Sequence, residues 1–210
     1  MDATKAINAL KAALPGSQLS LPGTEEYGKL NSSTYMSGLC KDITPGAIFQ
    51  PKSRDEVATF VRTIKPFVAS GDTAFAVVGG GRQPAPGCSN IQDGITLNLG
   101  LLKGIEVKDD VVLIGAGEQW GAVYDKLAPL GLGVSGSRSS KGGIGGLALQ
   151  GMLSSFFVEV SKRHMLILIG GLSFNSSREG FICDDVCLQL TCKLISRPLE
   201  LAPQVWGSES

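Results

Sequence analysis

The stretch Phe75-Ala76-Val77-Val78-Gly79-Gly80-Gly81-Arg82-Gln83 is a short run of buried-type residues that ends abruptly in glycine, and it closes a β-α-β pattern. The pattern opens with Ala47-Ile48-Phe49 as a strand and Pro51 as a break. Ser53-Arg54-Asp55-Glu56 then shows the S-x-x-E spacing of a capping box. Val57, Phe60, Val61 and Ile64 recur at i, i+3, i+4 and i+7, which predicts a helix with one apolar face that stops before Pro66.

Towards the N-terminus, Ile7, Leu10 and Leu14 predict a short amphipathic helix ended by Pro15-Gly16, and residues 15–46, rich in Ser, Gly, Pro and Thr, read as a loop. Towards the C-terminus, Ile95, Leu97 and Leu99 alternate with Thr96 and Asn98, the pattern of a half-buried strand, and 111–114 supplies another. Trp120, Val123, Tyr124 and Leu127 predict a helix from Glu118 to before Pro129. The densest glycine region follows at 131–151, where residues 135–146 read as neither regular helix nor central strand.

Glycine lets backbone N–H groups approach an anion closely, so both glycine clusters are candidates to cradle phosphate. The clusters at 79–83 and 136–146 each contain a cation, Arg82 in the first and Arg138 with Lys141 in the second, and neither has an adjacent carboxylate. Together they could wrap one pyrophosphate from two sides; each could equally be a tight turn. A third cluster, Gly115-Ala116-Gly117-Glu118-Gln119-Trp120-Gly121, has the place of a dinucleotide fingerprint but not its content. Trp120 stands at the third glycine position, Glu118 brings a negative charge, and no acidic residue occurs between Asp125 and Glu159 to hold a ribose hydroxyl. It reads as a strand-to-helix turn.

The 210 residues include 28 Gly and 10 Pro, with 43% hydrophobic and 18% charged, enough for one sizeable core or two small ones. Nineteen Lys and Arg balance nineteen Asp and Glu without a basic cluster, which argues against nucleic acid and membrane surfaces as partners. Five cysteines (Cys40, Cys88, Cys183, Cys187 and Cys192) form no C-x-x-C pair, and with the lone His164 they indicate neither a disulfide framework nor a metal site. Cys88, although beside the first glycine loop, reads as an ordinary buried residue. Asp2, Lys5 and Lys11 interrupt the first residues, and Glu159, Lys162, Arg163 and His164 interrupt 152–169. The expectation is therefore a cytoplasmic chain with neither signal peptide nor membrane span.

The order of these phrases is similar to that of the FAD-binding PCMH-type domain of the vanillyl-alcohol oxidase and berberine-bridge-enzyme-like family, as found in fungal FAD-linked oxidoreductases. The phrases are Ile48-Phe49-Gln50-Pro51-Lys52-Ser53-Arg54-Asp55-Glu56-Val57, Val77-Val78-Gly79-Gly80-Gly81-Arg82 and Gly94-Ile95-Thr96-Leu97-Asn98-Leu99. They continue in Ile114-Gly115-Ala116-Gly117-Glu118-Gln119-Trp120-Gly121-Ala122-Val123-Tyr124 and in Gly142-Gly143-Ile144-Gly145-Gly146-Leu147-Ala148-Leu149-Gln150-Gly151. The resemblance implies an α+β fold: a small α/β subdomain at about 45–115 and an incomplete second α+β subdomain. It implies FAD as cofactor, with Gly79, Gly80, Gly81, Arg82 and Gln83 on the pyrophosphate and Ser139, Ser140, Gly142, Gly143, Gly145 and Gly146 along the rest of the dinucleotide and flavin. Many members carry a histidine after the triple glycine that links covalently to the flavin. Arg82 stands there in this chain, so the expected attachment is non-covalent.

In the family a Gly-Leu-Ser-Phe phrase follows the Leu-Gln-Gly region directly. Here Gly151 is separated from Gly171-Leu172-Ser173-Phe174, and an insertion is expected at 152–170. Two readings stay open: a helical insertion, or a retained intron, since Gly-Met can be encoded by GGTATG and Ile-Gly by ATAGG, which contain a donor GT and an acceptor AG. A mature transcript that still encodes 152–169 would exclude the intron. The expected organisation is 1–44 as N-terminal helix and loop, 45–186 as the FAD-binding domain and 187–210 as a divergent tail. Loss of later strands should leave an open sheet edge. The resemblance implies a flavin-dependent oxidase that passes hydride from a small-molecule substrate to FAD and electrons on to oxygen. The substrate domain is expected to be missing, and no catalytic base is assigned. The other reading is a non-catalytic remnant or scaffold module with weak or no FAD binding.

Overall fold

The computed structural model describes residues 3–16, 18–109, 111–134 and 136–149, and beyond them the strand backbones 168–169, 189–193 and 195–196. Two four-stranded sheets organise the described residues. Helix α1 (Thr4–Ala13) precedes strand β1 (Gln18–Ser20), helix α2 (Glu25–Ser33) and the short α3 (Gly38–Lys41). Strand β2 (Ala47–Gln50), helix α4 (Arg54–Ala69) and strand β3 (Phe75–Val78) form the β-α-β unit, and β4 (Ile95–Asn98) follows. In the first sheet the order is β1-β2-β4-β3. Strands β2 and β3 both run parallel to β4, and β1 adds antiparallel to β2.

The core of this unit is the apolar face of α4 laid on the sheet. Phe49 of β2 stacks on Phe60 of α4 with centroids 5.4 Å apart, and Phe75 of β3 meets Phe60 edge-on at 5.7 Å. Val57, Ile64, Ile95 and Leu97 complete the layer, and α1 adds Ala6 and Leu10. Burying each large apolar side chain contributes about 1.5–3 kcal/mol. The helix starts where the capping box predicts: Ser53 Oγ accepts from the Glu56 N–H at 3.2 Å, and the Glu56 carboxylate accepts from Lys52 N–H at 2.6 Å.

In the second sheet the order is β5-β6-β9-β8, with β5 (Ile105–Lys108), β6 (Val111–Gly115), β8 (Leu168–Ile169) and β9 (Gln189–Lys193) all paired antiparallel. Helix α5 (Trp120–Leu127) packs Trp120, Val123 and Leu127 on Val112 and Ile114 of β6, with Ile144 of α6 (Ile144–Leu149) in the same cluster. Strand β7 (Leu132–Gly133) pairs with β10 (Ile195–Ser196). Strand β9 lies within 187–210 and pairs with β6 along its length. Of the expected insertion at 152–170 only the β8 backbone is described; His164, Cys183 and Cys187 lie outside the described residues.

The structure corrects several expectations. Helix α4 does not stop before Pro66 but runs through it to Ala69. Phe67 in the extra turn packs against the first core, and the turn is closed by Ser70 N–H on the Pro66 carbonyl at 3.0 Å. The span 15–46 is not a loop, since β1, α2 and α3 lie in it. Helix α2 is opened by Thr24, whose side chain accepts from Tyr27 N–H, with Glu25 and Glu26 in its first turn. Residues 144–146, read as irregular, begin α6, because Ile144 is drawn fully into the second core. Strand β4 is buried at all four positions, not half-buried. It is central in the sheet, so its apolar residues meet the helix layer while Thr96 and Asn98 meet a polar layer described below. Finally, β5 and β6 belong to the second sheet, so the first unit ends before residue 105.

Candidate functional site

Because β2, β4 and β3 are parallel, their carboxyl ends leave the first sheet on one side, and the glycine turn 79–83 leaves from the last of them. Ligand sites of open α/β sheets lie outside such ends. The second glycine loop meets the first there, backbone against backbone. A Cβ on Gly80 would come within 2.7 Å of Gly143 Cα and 2.8 Å of its nitrogen; one on Gly143 would come within 2.6 Å of Gly80 N. Any side chain at either position would separate the loops. Gly79 and Gly145 face a common wall, the Ala116 carbonyl, at 3.5 and 3.7 Å from their Cβ positions.

The second loop is held by the turn between β6 and α5. Trp120 N–H donates to the Gly142 carbonyl at 3.0 Å, Gly121 N–H to Ser140 at 2.8 Å, and Ile144 N–H to Glu118 at 3.2 Å. Gly136 lies directly on the Trp120 ring, which is fully buried and stacked on Tyr124 at 5.9 Å. Tyr124 Oη donates to the Ser137 carbonyl at 2.5 Å, and burial pushes its phenol pKa up to about 12, so it remains a donor across the neutral range. Arg82 closes the junction from the other side: its Nε donates to the Lys141 carbonyl at 3.2 Å.

Among the described residues, the N–H groups of Gly80, Gly81, Arg82, Gln83 and Gly143 donate to no acceptor. Unspent amides in glycine turns are the donor set of an anion nest. Half-buried Arg82 and exposed Arg138 and Lys141 add positive charge. The buried Glu118 carboxylate points elsewhere, accepting from Gly104 N–H at 2.9 Å and lying 3.7 Å from Lys103 Nζ. The 115–121 segment is therefore a strand-to-helix turn and a wall of the junction. A diphosphate fits the chemistry of the residues present: two touching loops carry unspent amides and three cations, and the Glu118 carboxylate beside them is engaged by Gly104 and Lys103.

Not every expected residue takes part in the Gly80–Gly143 contact itself. Gly81, at φ +62°, packs against the Thr34 carbonyl. Gln83, Ser139 and Ser140 are exposed, and Gly146 faces open space. Cys88 is exposed, not buried: it follows Gly87, at φ +80°, on the outer turn of the loop. Of the two cysteines with described side chains, Cys40 is the buried one, directed at the carbonyls of Gln83, Pro84 and Ala85 at 3.6–3.7 Å. The sequence reading missed the support behind this loop. Met36 N–H donates to the Gly81 carbonyl at 3.0 Å, and Tyr35 Oη donates to Ser89 at 3.3 Å. Asn90 Nδ2 lies 3.1–3.2 Å from Asn31 Oδ1 and the Cys40 and Ile43 carbonyls, while Thr96 Oγ1 donates to Asn90 Oδ1 at 2.9 Å. The Thr24-Glu25-Glu26 helix start was the available signal. Among the described residues no helix is long and apolar enough to cross a membrane, and no group of three or more His, Cys, Asp or Glu could hold a metal ion.

Comparison with known proteins bears on the family and the fold. The family model for the FAD binding domain matches residues 45–161. The FAD-dependent monooxygenase tpcD of Cochliobolus heterostrophus is 39% identical over 131 residues, 61% of this chain and 24% of the relative. The FAD-dependent monooxygenase FUP4 of Fusarium proliferatum is 33% identical over 156 residues, 73% of this chain and 26% of the relative. The chain thus spans about a quarter of the length of these curated relatives. Among solved structures, 6-hydroxy-D-nicotine oxidase from Arthrobacter nicotinovorans superposes with a TM-score of 0.64 at 20% identity, over 86% of this chain and 42% of that one. The wild-type BBE-like 1 of Physcomitrella patens gives 0.56 at 21% identity, over 69% and 30%. These likenesses establish the fold.

Proposed function

The chain belongs to the FAD binding domain family, and on that premise we propose that it holds FAD non-covalently by its diphosphate at the Gly80–Gly143 junction, as the cofactor-binding part of a flavin-dependent oxidase or monooxygenase. The carrying observation is that two loops 63 residues apart in sequence (143 − 80) touch backbone to backbone while their amides remain unspent. In this reading Gly79, Gly80, Gly81, Arg82 and Gln83 take the diphosphate from one side. Ser139, Ser140, Gly142, Gly143, Gly145 and Gly146 line the other side and extend towards the flavin. Arg82, with its Nε anchored on Lys141, offers its remaining guanidinium N–H groups for charge-assisted bonds. Each such bond to an ionised oxygen is worth about 1.5–3 kcal/mol.

FAD, when bound, supplies the redox chemistry; the chain's own part is to orient it and hold its charge. Non-covalent attachment rests on Arg82, since no imidazole stands in the first loop to link to the isoalloxazine. The small-molecule substrate of the complete enzyme belongs to the same reading and is not specified by residues of this junction.

The test is uptake of added FAD by the purified chain, followed by acid precipitation. The expected result is a protein with visible flavin absorbance whose flavin is released into the supernatant. A chain that remains colourless with excess FAD overturns the reading, and flavin that stays with the precipitate overturns the non-covalent part.

A further inference from the structure

The region that supports the first glycine loop lies outside the span matched by the family model, which begins at residue 45. Residues 34–36 run along the back of Gly81. The Gly81 α-carbon rests on the Thr34 carbonyl, and its own carbonyl is taken by Met36 N–H at 3.0 Å. No peptide bond among the described residues is cis, so the Gly81–Arg82 unit is trans and planar. In such a unit the carbonyl and the following N–H point in opposite directions. Tying the Gly81 carbonyl to Met36 therefore aims the Arg82 N–H away from the 34–36 backbone, leaving it without an acceptor among the described residues.

The tie is itself rigidly held. Asn98 Nδ2 donates to Thr34 Oγ1 at 3.3 Å from the end of β4. Tyr35, 4% exposed, bridges to the Ser89 carbonyl at the far end of the loop. The Asn31–Asn90–Thr96 network fixes the same segment to the sheet beneath. The polar face of β4 thus helps to seat the N-terminal segment that holds the loop.

We propose that Met36, through its backbone N–H, is a positioning residue for diphosphate binding: it sets the direction of the Arg82 amide. This rests on the reading of the loop as a diphosphate site.

Two variants of the full chain separate the backbone from the side chain. Met36→Pro removes the N–H; Met36→Ala keeps it, and Met36 as a residue is 55% exposed. With inorganic pyrophosphate and with FAD as probes, Met36→Pro is expected to weaken binding about tenfold, and Met36→Ala to restore it to the wild-type value. In 15N-labelled wild-type protein, pyrophosphate should shift the Arg82 amide while the Met36 amide stays protected from hydrogen exchange. That second measurement decides the matter if Met36→Pro fails to fold. Wild-type affinity in a folded Met36→Pro variant, or a freely exchanging Met36 amide, overturns the inference while leaving the site intact. A wild-type chain that binds neither probe overturns the underlying reading, and the inference falls with it.

Discussion

At the scale of single residues, the site depends on the absence of atoms. Gly80 and Gly143 touch through their α-carbons, and Gly136 lets the second loop lie on the Trp120 ring. Gly143→Ala would place a methyl within 2.6 Å of Gly80 N. It is expected to lower stability by about 1–3 kcal/mol and to abolish flavin uptake, read by thermal melting and visible absorbance. Gly28→Ala, in α2 with no atom within 4 Å of the new methyl, is the matched control and should raise stability by up to about 1 kcal/mol. The tyrosines carry a second prediction. Burial raises the phenol pKa of Tyr27, Tyr35 and Tyr124, the last from 10.0 to about 12. A pKa raised in the folded state means that its stabilisation is complete below about pH 10 and is lost as pH rises through about 12. Phenolate absorbance during alkaline titration should show all three ionising above the unfolded value, together with the loss of structure.

At the scale of elements, caps and packing decided boundaries that periodicity alone misplaced. The S-x-x-E start of α4 was legible because a capping box is local chemistry. Ser53→Ala is expected to cost about 1 kcal/mol in denaturant unfolding without altering flavin uptake. The end of the same helix was not legible, because Phe67 gains its partners only from the first core, beyond reach of a local rule about proline. Thr24-Glu25-Glu26 was an equally local helix start, hidden in a stretch whose composition reads as a loop. Strand β4 shows a third case. The alternation of Ile95 and Leu97 with Thr96 and Asn98 was read correctly as two faces, but the polar face meets Asn90 and Thr34 instead of water.

At the scale of the whole molecule, the second sheet is closed by pairing distant in sequence: β6 at 111–115 against β9 at 189–193. A chain ended at residue 186 would expose the full length of β6 as an edge. It is expected to melt at lower temperature than the 210-residue chain and to aggregate on heating, measured by calorimetry and light scattering. Equal melting of the two would mean that this pairing contributes nothing. The amino-acid sequence by itself determined the β-α-β unit, the two glycine loops with their cations and the order of phrases that marks a FAD-binding domain, because turns, caps and hydrophobic period are set by neighbours along the chain. Only the tertiary structure decided that Gly80 touches Gly143, that Glu118 turns away from the junction and that residues 34–36 hold the first loop from behind. Those contacts join segments tens of residues apart, and no local preference of either partner encodes which distant backbone it will meet.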